Sequence, residues 1–230
     1  VAVCGAVGGV GQQSETVWRK SEKFGIPKLA FINRMDRPGA DFAMVMDAMR
    51  RRLRANPVAV TIPLGSEEEF RGVIDLVRME SLTFDDADKG RSVTRAPLTG
   101  EEAAYAAPWR DALLETLADV DETIMEAYLG GEAVDEDTLH AALRGGTLSR
   151  AFVPVFSGAA LRNIGVQPLL DAGAAYLPGP ADAENASGVD ARTKESVTIE
   201  PDPAAPFSAL VFKVFVENGR KLALARVYAG

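Results

Sequence analysis

The chain has 230 residues, 47% of them hydrophobic and 25% charged, a balance that supplies a buried core and fits one large domain or two small ones. No apolar run reaches the ~18 residues that cross a bilayer, and no basic segment precedes Val1-Ala2-Val3-Cys4, so neither a membrane partner nor a signal peptide is expected. One cysteine and one histidine leave no disulfide and no His/Cys zinc site and fit a reducing cytoplasm, while a net charge of −8 argues against sequence-blind adhesion to nucleic acid.

Residues 1–6 read as a buried strand entered midway, as if cut from something longer, and Gly8-Gly9-Val10-Gly11 follows as a loop. Residues 14–24 predict a helix with Val17, Trp18 and Phe24 on one stripe, stopped by Gly25 and Pro27. Lys28-Leu29-Ala30-Phe31-Ile32 is the next strand, apolar on both faces. Residues 42–53 form a helix with Phe42, Val45, Met46, Met49 and Leu53 at helical spacing. Continuous apolar strands alternating with amphipathic helices predict an α/β fold, a parallel sheet with helices on both faces.

The rhythm then breaks. Short strands are expected over 58–64, 70–77 and 79–84, a long helix over 109–129 and a shorter one over 136–143. A buried strand returns at residues 151–156, followed by a helix over 165–177 with Val166, Leu169, Leu170 and Leu177 inward. A crossover between parallel strands needs about a dozen residues, far fewer than intervene here. Residues 58–146 are therefore expected to be an inserted α+β subdomain, with 1–57 and 147–178 forming the parallel-sheet domain. Five prolines from Pro178 to Pro206 mark residues 179–204 as a linker. Beyond it, residues 207–216 and 221–228 flank Asn218-Gly219, the strongest short hairpin signal. Two strands enclose no barrel core, so residues 205–230 are expected to be the beginning of a larger β domain.

The chemistry concentrates at Asn33-Arg34-Met35-Asp36, at the C-terminal end of a buried strand, where open α/β sheets bind ligands. Guanine offers two adjacent donors, N1–H and the 2-amino group, and one carboxylate accepts both in a charge-assisted, bidentate geometry. Adenine lacks that pair, so Asp36 would discriminate. Asn33 both donates and accepts, which suits it to tie loops together and to reach the purine N7. Arg34 can lay its stem and guanidinium plane over the base. A second loop, Ser157-Gly158-Ala159-Ala160-Leu161-Arg162-Asn163, follows the later buried strand. Its small residues allow backbone N–H groups to approach a base carbonyl.

Two other function classes fit parts of this pattern. Gly5, Gly8, Gly9 and Gly11 after an apolar strand, with Asp36 ending the next, loosely match a dinucleotide-binding oxidoreductase. A protein-binding module with an idle nucleotide pocket is the other. Arg50, Arg51, Arg52 and Arg54 read as cations at a helix C-terminus, favoured by its dipole, before they read as an RNA patch. Residues 132–137 read as a solvated acidic loop, His140 as a partly exposed helix residue with no nearby partner in sequence, and Glu67-Glu68-Glu69 as a solubilising turn.

Several segments together resemble translation elongation factor G. They are Gly9-Val10 with Ser14-Glu15-Thr16-Val17-Trp18-Arg19, Ile32-Asn33-Arg34-Met35-Asp36-Arg37, Gly72-Val73-Ile74-Asp75-Leu76-Val77 and Tyr128-Leu129-Gly130-Gly131. Asn163-Ile164-Gly165-Val166-Gln167-Pro168-Leu169-Leu170-Asp171, Tyr176-Leu177-Pro178 and Arg226-Val227-Tyr228 add to them. The similarity runs through nearly the whole chain. It implies a P-loop GTPase-type sheet in which Asn33-Arg34-Met35-Asp36 is the guanine-specificity box and Ala159-Ala160-Leu161 the second base loop. The implied site residues are thus Asn33, Arg34, Asp36, Ala159, Ala160 and Leu161, with GTP or GDP as ligand.

The resemblance also implies that residues 58–146 are the extra subdomain elongation factor Tu lacks, contacting the ribosomal stalk protein. Residues from about 205 would begin a β-barrel second domain. The parent would hydrolyse GTP on the ribosome in translocation or recycling, with no sequence-specific DNA partner. Arg34 departs from the usual lysine, Ala159 from the usual serine, Gly11-Gln12-Gln13 from Q-P-Q and Gly173 from valine. Neither G-x-x-x-x-G-K-[ST] nor D-x-P-G-H occurs in the chain, so the phosphate-binding and Mg2+-binding parts are expected elsewhere, and these residues alone are expected to hold only the guanine end.

Overall fold

The computed structural model describes residues 1–230, which divide into two units, Val1–Leu177 and Pro178–Gly230. In the first, β1 (Ala2–Gly5), α1 (Gln12–Lys23), β2 (Ala30–Asn33), α2 (Phe42–Leu53) and β3 (Pro57–Ala59) alternate. Four strands follow, β4 (Thr61–Leu64), β5 (Gly72–Asp75), β6 (Glu80–Phe84) and β7 (Val93–Pro97). Then come α3 (Gly100–Ala118), α4 (Glu122–Gly130), α5 (Glu136–Ser149), β8 (Val153–Ser157) and α6 (Val166–Tyr176).

The α/β class holds: β1, β2, β8 and β3 make one parallel sheet in that order, flanked by helices, and β4 to β7 make an antiparallel one. Burial explains why these segments pair. Ala30, Phe31 and Ile32 of β2 and all of β8 are buried, as strands covered on both faces must be. Helix α2 buries the five expected residues, Phe42, Val45, Met46, Met49 and Leu53. Its first turn is capped by Asp41, whose carboxylate accepts the Met44 N–H at 2.9 Å.

The strand expected over 58–64 is two strands in different sheets. Pro57, Val58 and Ala59 pair with Val153, Pro154 and Val155 of β8, whereas Thr61 to Leu64 pair with β5. Val58 and Ala59 therefore lie in the parallel sheet and not in the stretch expected as an insertion. Every residue from 57 to 64 is buried, so no alternation marks the change of sheet. That stretch is also not set apart as a unit, because one hydrophobic core runs from Cys4 through Phe70, Leu113 and Leu143 to Tyr176.

The helix expected over 109–129 begins earlier and is two helices. Helix α3 starts at Gly100 behind a reciprocal cap, with Thr99 Oγ1 accepting the Glu102 N–H and Glu102 Oε2 accepting the Thr99 N–H. It runs through Pro108, ahead of the expected start at 109. A break at Asp119-Val120-Asp121 follows, and the Asp121 carboxylate accepts the Ile124 N–H at 3.1 Å to start α4. Helix α5 continues to Ser149, past the expected end at 143.

In the second unit, β11 (Ser208–Glu217) and β12 (Arg220–Ala229) are the expected hairpin, and its Asn218 and Gly219 both adopt positive φ, 49° and 75°. The segment expected as a linker holds strands as well: β9 (Ala186–Val189) pairs antiparallel with β10 (Ser196–Ile199). The Asp190 carboxylate closes their turn by accepting the Arg192 and Thr193 N–H groups. No helix of the chain is long and apolar enough to cross a membrane.

Candidate functional site

The two expected loops leave the sheet from adjacent strands, β2 and β8. Backbone bonds lock their bases together: Gly158 N–H donates to Ile32 O at 3.0 Å and Met35 N–H to Gly158 O at 3.1 Å. Above them Asn33 is the tie between the loops. Its Oδ1 accepts the Arg34 N–H at 2.8 Å and the Ala160 N–H at 2.9 Å. Arg34 sits in the left-handed region at φ 67°, which turns the chain sharply out of β2.

The six expected residues divide by environment. Asn33 and Asp36 are half-buried, Ala159 is buried, and Arg34, Ala160 and Leu161 are exposed, Leu161 to 93%. Asp36 takes part in no side-chain hydrogen bond or ion pair, so its carboxylate remains available to a ligand. Ala160 N–H, in contrast, is already occupied by Asn33. Ala159 and Ile164 bridge across the second loop, and the 3-10 turn Ala160–Arg162 presents Leu161 outward. A cleft of about 510 Å3 opens beside the first loop and the start of α2, lined by Met35, Ala40, Phe42, Pro63, Tyr105 and Trp109. None of the six expected residues lines it.

Side chains read as bland turn out to be engaged here. Glu67 lies against the first loop: its N–H donates to Met35 O at 3.1 Å and its Oε1 accepts the Gly39 N–H at 2.7 Å. Arg162 reaches Asp86 with one guanidinium nitrogen, at 3.0 and 2.8 Å from the two carboxylate oxygens. His140 has two partners, Tyr176 Oη and Glu136. Burial raises the Tyr176 phenol well above its ordinary range, with the Asp75 charge adding to it. The Arg78 hydrogen bond holds the Glu136 carboxyl below the ordinary glutamate range. The arginines at the end of α2 are paired in part, Arg50 and Arg51 with Asp47 and Arg52 with Glu15.

A parallel sheet that carries an unpartnered carboxylate and an interloop asparagine at its strand ends is the framework of a nucleotide-binding α/β domain. Residues 1–179 match the family model described as the elongation factor Tu GTP binding domain, and the chain belongs to that family. The match takes in Gly5 to Gly11 and Asp36 alike, and so overturns the oxidoreductase reading of those residues.

The likeness to elongation factor G is equally plain. The chain is 51% identical to elongation factor G 2 of Desulfotalea psychrophila and 44% identical to elongation factor G 2 of Syntrophus aciditrophicus, over its whole length in both cases. It spans about a third of those relatives, 33% and 34%. A solved structure from Thermus thermophilus superposes with a TM-score of 0.75 at 25% identity, over 99% of this chain and 31% of that one.

Proposed function

We propose that this chain supplies the guanine-recognition end of the GTP site in a ribosome-dependent translational GTPase of the elongation factor G kind, acting in translocation or recycling in the cytoplasm. The observation that carries the reading is the Asn33 tie, which holds the two strand-end loops together while the Asp36 carboxylate stays unpaired. Asp36 accepts guanine N1–H and the 2-amino group. The free amide nitrogen of Asn33 faces N7, Arg34 covers the base, and the Ala160 N–H shares its hydrogen bond between Asn33 and guanine O6. Ala159, buried and bridged to Ile164, holds that amide in place, and Leu161 lies exposed beside it. In the order of segments, residues 60–146, which follow β3, act as an added subdomain, and residues from about 205 begin a β-barrel domain.

Phosphate binding and hydrolysis belong to parts of the site outside these residues. The Mg2+ that the family implies would bind with the phosphates, in those same outside parts. The stalk protein is the proposed partner of residues 60–146. Helix α4 supports that reading, because Met125, Tyr128 and Leu129 lie exposed at i, i+3 and i+4 spacing, Leu129 to 79%. An apolar stripe of that size suits a weak, transient contact.

Titration of the isotope-labelled chain with GDP, followed by nuclear magnetic resonance, tests the base site. Amides of residues 33–36 and 159–161 shift at millimolar GDP and not with ADP. Base contacts of about 1 kcal/mol each leave the affinity weak against the entropy of association. Asp36→Asn pairs one acceptor and one donor with xanthine. It therefore reverses the preference toward xanthosine diphosphate, with GDP weakened roughly ten- to a hundredfold. Loss of the GDP response without gain of the xanthine nucleotide assigns Asp36 a bracing role and removes the reading.

A further inference from the structure

Two loops of the antiparallel sheet reach the candidate base site, one to each strand-end loop. The β4–β5 connection meets the first: Glu67 accepts the Gly39 N–H through Oε1 and donates its own N–H to Met35 O. The β6–β7 connection meets the second. There Asp86 takes Arg162 through both carboxylate oxygens, and Gly90 O accepts Asn163 Nδ2 at 3.1 Å and Gln167 Nε2 at 2.6 Å. Arg162 adds Phe70 O at 3.3 Å, so it spans both connections.

The approach at Gly90 is close enough to require glycine: at φ 72° a Cβ would stand 2.5 Å from Arg162 O. Neither strand-end loop touches the antiparallel sheet by accident of one long side chain, because backbone atoms take part on both sides. Arg162 is moreover the residue directly after Leu161, so any shift of its anchor moves the Ala160–Leu161 backbone.

We infer that the β4–β7 sheet is a two-point clamp on the base site, with Glu67, Asp86 and Arg162 as positioning residues that set how well the site receives a guanine nucleotide. The inference rests on the base-site reading above. Its consequence is reciprocal coupling: whatever displaces the connections at 66–70 or 85–92 loosens the base loops, and a bound base tightens them.

Amide hydrogen exchange and GDP titration on the full 230-residue chain decide it. Asp86 is 70% exposed and Arg162 35%, so Asp86→Ala leaves the core untouched. An exposed ion pair is worth up to about 1 kcal/mol, so exchange at the Ala160 and Met35 amides rises about two- to fivefold. GDP affinity falls by a similar factor, while the Met49 and Leu113 amides in the helices keep their rates. Asp86→Glu restores both quantities in large part, and Glu67→Ala acts chiefly on Met35. Unchanged exchange at Ala160 and Met35 in Asp86→Ala, or an equal rise at Met49, overturns the clamp. A wild-type chain that shows no GDP response removes the base site instead, and the exchange arm still judges the clamp without it.

Discussion

Gly158 illustrates how one position is dictated by its neighbours. A Cβ there would stand 2.2 Å from Ile164 O and 2.7 Å from the Phe31 ring, both fixed parts of the packed sheet end. Gly158→Ala is expected to lower stability by about 1–3 kcal/mol through overpacking. Gly173 is the counterexample, a glycine inside α6 with open space where its Cβ would go. Gly173→Ala should raise stability by about 1 kcal/mol from helix propensity. Urea denaturation of the two variants checks both signs, and a neutral Gly158→Ala would mean that the second loop relaxes more easily than its contacts suggest. Residue identity alone separates the two poorly. The two are told apart by what surrounds them, Ile164 and Phe31 at one and open space at the other. Glu67 teaches the same lesson, since its partner Gly39 lies 28 residues away, and so does the Tyr176 partner of His140, 36 residues away, although its other partner Glu136 is a local i,i+4 neighbour.

Elements were legible where their signal is local. Helix α2 follows its apolar stripe and ends within a residue of expectation, and the β11–β12 turn follows Asn218-Gly219. Helix α3 begins nine residues before its expected start at 109 and runs through Pro108. Its buried side chains Ala106, Leu113 and Leu117 lie on both sides of that proline, and tertiary burial outweighs the missing N–H. Proline inside a helix costs about 3 kcal/mol, partly offset by the rigidity it lends the unfolded chain. Pro108 is exposed, so Pro108→Ala is expected to stabilise the protein by about 2 kcal/mol, read from the chemical denaturation midpoint. A destabilised variant would show that the ring itself makes a needed contact. The failure at residues 57–64 has another cause. A fully buried run carries no period, so nothing local marks the point where the chain leaves the parallel sheet for the antiparallel one.

Stability is distributed unevenly between the two units. The core lies within residues 1–177, and in Pro178–Gly230 only Ala229 is buried among the hydrophobic residues. A two-stranded ribbon is marginal in water, and β11 leaves Val211, Phe212, Val214 and Val216 more than half exposed. The chain ending at Leu177 is therefore expected to keep the cooperative unfolding midpoint of the full chain, measured by circular dichroism in urea. A lowered midpoint would assign residues 178–230 a share in that core.

The α/β class, the position of the Asn33-to-Asp36 loop at a strand end and the hairpin at Asn218-Gly219 were determined by sequence alone, because side-chain period, strand burial and turn chemistry are local. Tertiary structure alone decided that Asn33 binds Ala160 across 127 residues, that residues 57–59 and 61–64 part company, and that Glu67 meets Gly39 and Arg162 meets Asp86 at the strand-end loops. Those contacts join strands and loops distant along the chain, and their energy exists only once the sheets have formed and brought them within hydrogen-bonding distance.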